Sequence, residues 1–305
     1  MRHALVFGGT GQIGRPLLGL LRRDGWRISA LSRRPHADEP GLTWLRGDLD
    51  ALPALPPRVE AIFSCGPLDA FGRWYADAAI EAGRVVAFGS TSVDTKQGSG
   101  DAHERDLAQR LRDGEAAVFA AAARRDAAAS VLRPTLVYGA GRDATLSRIA
   151  HLARRWGRFP LPRGANGLRQ PVHVDDLAAA AFACLHSEAA RGNAYALPGG
   201  ETLSYCDMVA RVLAVLQPPP SLLELPSPLF NLALLAAQAS GRATGLGEAA
   251  VRRMRSDLVF DVGPAQRDLG YAPRMFRPDA GTFEENFEEH FEEHFEEHFE
   301  QRDPT

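Results

Sequence analysis

Short apolar runs alternate with amphipathic stretches through the first 140 positions of the chain. The runs at 4–7, 27–31, 43–46, 59–63, 84–89 and 130–137 are too short for helices and predict strands. Between them, 13–21, 70–82 and 102–125 place apolar residues at helical spacing. Strand and helix in regular alternation predict an α/β fold, a doubly wound parallel sheet.

Beyond position 140 the strands thin out. Helices are expected at 146–156, 177–186, 204–216, 229–239 and 247–255, short strands at 168–172 and 195–197, and loop at 159–162 and 164–167. This pattern predicts a smaller carboxyl-terminal α/β lobe, which the resemblance given below makes a substrate lobe. The expected organisation is a dinucleotide domain over 1–165, the lobe over 166–280 with one strand and helix returning to the first domain, and a low-complexity tail over 281–305. In the tail Phe283, Phe287, Phe291, Phe295 and Phe299 recur every four residues, each followed by Glu-Glu or Glu. A period of four drifts roughly 40° per repeat on a helix, so the Phe stripe spirals and the tail reads as a solvated appendage. His290, His294 and His298 raise the alternative of a metal on one helical face, but an inert acidic tail is expected, with no metal.

The first interruption of the apolar pattern carries the chemistry. Strand 4–7 runs into Gly8, Gly11 and Gly14, and a helix follows at once. Glycines in that order let the chain turn sharply, approach a pyrophosphate and pack helix on strand. The helix start offers N–H groups and the positive end of its dipole to phosphate. Thr10, Gln12 and Ile13 lie inside the turn. A dinucleotide cofactor and a Rossmann-type domain are expected.

Strand 27–31 ends in Ser32-Arg33-Arg34, with no acidic residue until Asp38. An NAD site commonly has a carboxylate here for the ribose 2′-hydroxyl, whereas arginine accommodates a 2′-phosphate. NADP(H) is therefore favoured over NAD(H), the alternative being that both arginines are solvated loop charges. Asp48 and Leu49 follow strand 43–46 and read either as an adenine contact or as a turn. Cys65, Gly66 and Pro67 end strand 59–63, small enough to pass under a cofactor; Cys65 reads as a small buried residue, not a nucleophile. Ser90 and Thr91 place hydroxyls at the carboxyl end of strand 84–89, where ligands of such sheets bind.

Composition narrows the picture. A net charge of −3 gives no polyanion signature, and no basic stripe or reading helix suggests nucleic acid. Cys65, Cys184 and Cys206 are widely spaced and predict free thiols in a reducing, cytoplasmic compartment. The sequence opens directly on a strand, so no signal peptide is expected. The most apolar later stretch, 228–237, is too short to span a bilayer and reads as a packed helix or an interfacial one.

Several motifs together resemble the extended short-chain dehydrogenase/reductases, the NAD(P)-dependent epimerase/dehydratase group. They are Gly8-Gly9-Thr10-Gly11-x-x-Gly14, Ser90-Thr91-Ser92, Leu132-Arg133-Pro134-Thr135-x-x-Tyr138-Gly139, and Gln170-Pro171-Val172-His173-Val174-Asp175-Asp176-Leu177-Ala178. Gly199-Gly200-Glu201-Thr202-Leu203-Ser204-Tyr205 and Leu269-Gly270-Tyr271-x-Pro273 complete the series in order. The resemblance implies a substrate crevice at the strand ends beside the lobe, with Pro134 and Thr135 at the cofactor and Arg169 and His173 toward the substrate. It also implies a small-molecule substrate such as a nucleotide sugar. Pairing of two copies through the helices at 70–82 and 102–125 is a further implication; packing on their own sheet would need the same alanines.

The family's Tyr-x-x-x-Lys pair is absent. The sole lysine is Lys96, with Ser92 four residues before it. If Glu115 takes the family's acidic position after the pair, Leu107 and Leu111 stand where Tyr and Lys would be. The resemblance is to the atypical branch. Two functions are expected to compete: an oxidoreductase or epimerase-like enzyme using Ser90 or Thr91 with Lys96 or Tyr138, and a catalytically silent cofactor binder acting as redox sensor or assembly factor.

Overall fold

The computed structural model describes residues 2–143, 145–239 and 248–283. In chain order come β1 (His3–Phe7), α1 (Gly14–Arg23), β2 (Arg27–Ser32), β3 (Leu42–Arg46), β4 (Arg58–Ser64), α2 (Leu68–Asp77) and β5 (Glu81–Phe88). The single-turn α3 (Ser92–Thr95), the long α4 (Ala102–Arg124) and β6 (Ala128–Pro134) follow. With the later strand Asn193–Leu197 they build a seven-stranded sheet in the order Asn193–Leu197, β6, β5, β4, β1, β2, β3. All neighbours are parallel. This is the doubly wound order, and winding reverses between β1 and β4.

A parallel sheet covered on both faces needs strands that are apolar throughout. All five residues of β1 are buried. Leu5 and Phe7 of β1 join Phe71 and Tyr75 of α2 and Val118 and Ala122 of α4 in one core. Helices α2 and α4 touch backbone to backbone: a Cβ on Gly72 would lie 2.7 Å from the Gly114 carbonyl oxygen. The small residues of these helices therefore serve contact within one chain.

Two compact units divide the chain: residues 1–135, 172–200 and 260–274 form the first, and 136–171, 201–259 and 275–305 the second. The expected boundary at 165/166 falls at 135/136. The reason is packing: Leu146, Ile149 and Leu161 share a core with Met208, Val212 and Phe276 of the second unit. Its other unexpected element is the strand Arg158–Pro162, taken from its prolines as loop, which pairs in parallel with Ser221–Leu225.

Two other boundaries moved. The helix expected at 70–82 ends at Asp77, because Ala78 turns extended. Strand β5 then starts at Glu81, where the Glu81 N–H reaches the Pro57 carbonyl and Arg58 of β4 pairs with Glu81. Among the described residues no helix is long and apolar enough to cross a membrane. The tail from 284 on, with its three histidines, lies outside the described residues.

Candidate functional site

Six parallel strands, β1 to β6, end at one edge of the sheet, and the candidate site is made of those ends. Directly after β1, Gly8 adopts φ +71°, a conformation that side chains disfavour. A Cβ there would lie 3.0 Å from the Cys65 carbonyl carbon, so the turn lies directly on the end of β4. The Cys65 N–H bonds the Phe7 carbonyl at 3.0 Å and fixes that contact. At Gly14 a Cβ would sit 2.1 Å from the Gly8 oxygen, so only glycine lets α1 start this close to the turn. The start of α1 has no capping side chain and no acid in its first turn. Its positive dipole end is therefore left to an anion.

Two buried polar atoms fit the same conclusion. Gln12 Oε1, in the turn, and Ser64 Oγ, the last residue of β4, are buried without a hydrogen-bond partner. Buried polar atoms are costly unless something satisfies them. A dinucleotide phosphate and ribose would supply partners at both places, so the residues present fit such a cofactor.

At the end of β2 the Ser32 hydroxyl accepts from the Arg34 N–H at 3.2 Å, and Arg33 and Arg34 are exposed. Asp38, the first acid after them, holds the Trp44 N–H at 2.8 Å through one carboxylate oxygen. Trp44 itself was not singled out in the sequence. Its ring lies 3.4 Å from where a Gly9 Cβ would be, and His36 packs against it at 4.6 Å between centroids. A lone Trp in an exposed strand beside the arginines was the only available signal.

Asp48 forms a turn: Oδ1 accepts from Asp50 and Ala51 N–H groups at 3.0 and 2.8 Å. Leu49 packs on the core of the first unit. At the end of β4 Cys65 and Gly66 are half-buried and Pro67 leads into α2. Burial pushes the Cys65 thiol up to about 12, which keeps it protonated and inert.

The hydroxyls after β5 separate. Thr91 is buried, and its Oγ1 donates to the Pro134 carbonyl at 3.1 Å, joining the ends of β5 and β6. Ser90 is half-buried, and its Oγ accepts from the Ser92 N–H at 3.1 Å. That contact uses a lone pair and leaves the Ser90 proton to be donated outward. Thr135, next to Pro134, bonds the Leu197 carbonyl at 3.3 Å through its N–H.

Lys96 ends α3, and its Nζ lies 3.8 Å from Glu104. Glu104 is buried in the first turn of α4 and accepts from the Ser99 hydroxyl at 2.7 Å. Glu104 thus joins Lys96 near the β5 exit. Further along α4, the buried Glu115 binds Arg133 of β6 with both carboxylate oxygens, 2.8 Å to Nε. The hydrogen bonds to Glu115, and after them its charge and that of Asp94, push the Arg133 guanidinium further above its ordinary value. Leu107 and Leu111 lie on this helix, and Leu111 packs on the core. Neither can move a proton.

Three candidates have other employment. Tyr138 is 1% exposed and packs edge-on against Phe276 at 4.9 Å, inside the second unit. Arg169 is buried; its guanidinium donates to the carbonyls of Leu168 and Ser256 at 2.7 and 2.8 Å and to that of Arg253, and lies over the Tyr205 ring. His173 caps the helix Val174–Ala183, its Nδ1 accepting from the Asp175 N–H at 3.2 Å. Sequence could place these residues at the right motifs but not show what their side chains hold.

No family model matches the chain. A 3-diazoavenalumate denitrifying reductase of a Streptomyces species is 31% identical over 223 residues, 61% of this chain and 73% of that protein. A 2-alkyl-3-oxoalkanoate reductase of Stenotrophomonas maltophilia is 27% identical, covering 89% of this chain and 94% of its own. Among solved structures, a UDP-glucuronic acid 4-epimerase from Bacillus cereus in complex with NAD superposes with a TM-score of 0.66 at 11% identity, over 96% of this chain and 99% of that one. At that identity the superposition speaks for the fold. The identity shared with the Streptomyces reductase reaches further, because it stays at 31% over 73% of that protein. On these grounds the chain belongs to the extended short-chain dehydrogenase/reductase superfamily, among its NAD(P)-dependent epimerase/dehydratase-like enzymes.

Proposed function

We propose that the protein is an NADP(H)-dependent reductase acting on a carbonyl carbon of a small molecule, or on the matching alcohol in reverse. The observation that carries this reading is the Ser90 hydroxyl. It is half-buried at the exit of β5, oriented by the Ser92 N–H, with its proton left to donate. A donor fixed where an oxygen gains charge is the most effective single contribution a site can make.

The glycine turn with Thr10, Gln12 and Ile13 would hold the pyrophosphate, and Arg33 and Arg34 a 2′-phosphate. Ser32, Asp48 and Leu49 would border the adenosine, and Cys65, Gly66, Pro67, Pro134 and Thr135 would line the path toward the nicotinamide. When bound, the cofactor supplies or accepts a hydride. The protein's part is to polarise and position. Ser90 donates to the substrate oxygen. Thr91 holds the ends of β5 and β6 together and leaves its proton on Pro134. Lys96, paired with Glu104 at 3.8 Å, is the cation and proton source nearest in sequence to the hydroxyls, in place of the family's lysine.

Both relatives named above are called reductases, which supports carbonyl chemistry. The epimerase likeness supports a nucleotide sugar as second reading. Arg169 weighs against it, because its guanidinium is committed to backbone carbonyls. A cytoplasmic setting fits the three free cysteines. Ser90→Ala tests the proposal: kcat falls about 100- to 1000-fold while NADPH affinity holds. Undiminished turnover in Ser90→Ala would remove Ser90 from the mechanism.

A further inference from the structure

The segment 33–40 joins β2 to β3 and is exposed at every residue. It is nevertheless fixed along its whole length. The Arg34 N–H donates to the Ser32 hydroxyl at 3.2 Å. Asp38 accepts from the Trp44 N–H at 2.8 Å, and Glu39 and Leu42 exchange backbone bonds at 2.9 and 2.8 Å. The Glu39 carboxylate also accepts from Arg22 of α1 at 2.6 Å. Between these ties the His36 ring packs on Trp44, 4.6 Å between centroids and tilted by 35°. Exposed connections are ordinarily left mobile. Here the entropy of ordering the loop is given up on folding, before a ligand arrives, and a ligand then meets a preorganised surface.

Trp44 connects that loop to the glycine turn. It lies on β3, the edge strand of the sheet, and is half-buried. Its ring carries His36, while its Cζ3 is 3.4 Å from the Cβ position of Gly9. Ala30 of β2 and Leu18 of α1 crowd the same position at 3.2 and 3.3 Å, so the indole meets the turn in a packed corner. One side chain thus touches both the turn that would hold the pyrophosphate and the loop that carries Arg33 and Arg34. The Trp44 N–H also engages Asp38, the first acid after β2. In an NAD site a carboxylate near this place instead holds the ribose 2′-hydroxyl.

We propose that Trp44 is a positioning residue for the cofactor's 2′-phosphate. Acting through His36 and Asp38, it sets the arginine loop at the distance from the glycine turn that a phosphorylated ribose requires. The inference rests on the reading of Arg33 and Arg34 as the 2′-phosphate contacts. Pyrophosphate and 2′-phosphate are joined through one ribose, so covalent structure fixes their separation. Two protein sites gain from being occupied together only when their spacing matches that of the linked groups. NADH has no 2′-phosphate and draws on the glycine turn alone. Choice between the two cofactors therefore depends on an aromatic stack beneath the loop as well as on the arginines themselves.

The test is fluorescence titration of the full chain with NADPH and with NADH, on the wild type, Trp44→Leu, Trp44→Phe and His36→Ala/Asp38→Ala. The double variant changes only exposed side chains, and it decides alone if Trp44→Leu does not fold. Trp44→Leu and the double variant each weaken NADPH about tenfold and NADH less than about twofold. Trp44→Phe keeps a ring under His36 and stays within about threefold of the wild type for both cofactors. A wild type that binds the two cofactors equally overturns the 2′-phosphate reading and this inference with it. A wild-type preference for NADPH that survives in Trp44→Leu and in the double variant overturns the inference alone. Equal loss of NADPH and NADH also overturns it, because Trp44 then supports the glycine turn and not the 2′-phosphate.

Discussion

Side chains at the strand ends differ less in kind than in what already holds them. Ser90 and Thr91 are adjacent hydroxyls, yet the Thr91 proton is on Pro134 and the Ser90 proton is not. Substituting each gives opposite signatures. Ser90→Ala lowers turnover with the melting temperature unchanged, whereas Thr91→Val lowers stability by about 1 kcal/mol, the ordinary worth of one such bond. Thermal melts and steady-state rates on the two proteins separate these effects. The hydroxyl cluster itself was legible in the sequence, since it follows an apolar strand. Which hydroxyl is engaged was not, because the acceptor is a carbonyl 43 residues away. Arg169 shows the same limit: a motif placed it near the substrate, and the carbonyls that hold it come from 84 and 87 residues downstream. At the end of β2 the two arginines make a separate prediction. Arg33→Ser/Arg34→Ser weakens NADPH at least tenfold and leaves NADH within a factor of about 3, read by fluorescence titration. Equal loss of both cofactors would mean that the arginines do not read the 2′-phosphate.

Elements hold these residues through backbone contacts as much as through side chains. Gly14 is the clearest case, with a Cβ position 2.1 Å from the Gly8 oxygen. Gly14→Ala pushes α1 away from the turn and abolishes the cofactor-induced rise in melting temperature. Helix α4 is tied to β6 by the Glu115–Arg133 pair, which is mostly buried. Removing Glu115 leaves Arg133 only the exposed Asp94 at 3.3 Å, so Glu115→Ala costs about 3 kcal/mol in urea unfolding. A loss below about 1 kcal/mol would mean that water reaches the pair. The glycine turn and the alternation of strand and helix were readable because they are local. The strand Arg158–Pro162 was not, because two prolines mark a break and its partner, Ser221–Leu225, lies some sixty residues on. The early end of α2 was hidden for a related reason. Ile80 continues a helical spacing, but it is buried in the core just before β5, where Glu81 pairs with Arg58 of β4.

For the whole molecule, stability has a pH dependence that begins at the first strand. His3 is buried; desolvation first and the neighbouring Arg27 second hold its imidazole below the ordinary 6.5. Below 6.5 the unfolded chain therefore binds a proton that the folded chain resists, and stability falls on acidification through that window. His3→Gln flattens this slope in unfolding measured just above and below pH 6.5; an unchanged slope would take His3 out of the pH dependence, since Glu201, which its hydrogen bond from Arg211 holds below 4.5, loses its contribution only at lower pH. The larger claim concerns what the sheet edge binds. Thermal denaturation of the protein with NADPH, NADP+, NADH and NAD+ in turn tests it most directly. A ligand at one hundred times its Kd adds about 2.7 kcal/mol to the folded state. The account predicts a rise in melting temperature with all four, larger for the two phosphorylated forms, and no rise in Gly14→Ala. No rise with any of them, or an equal rise in Gly14→Ala, would contradict it.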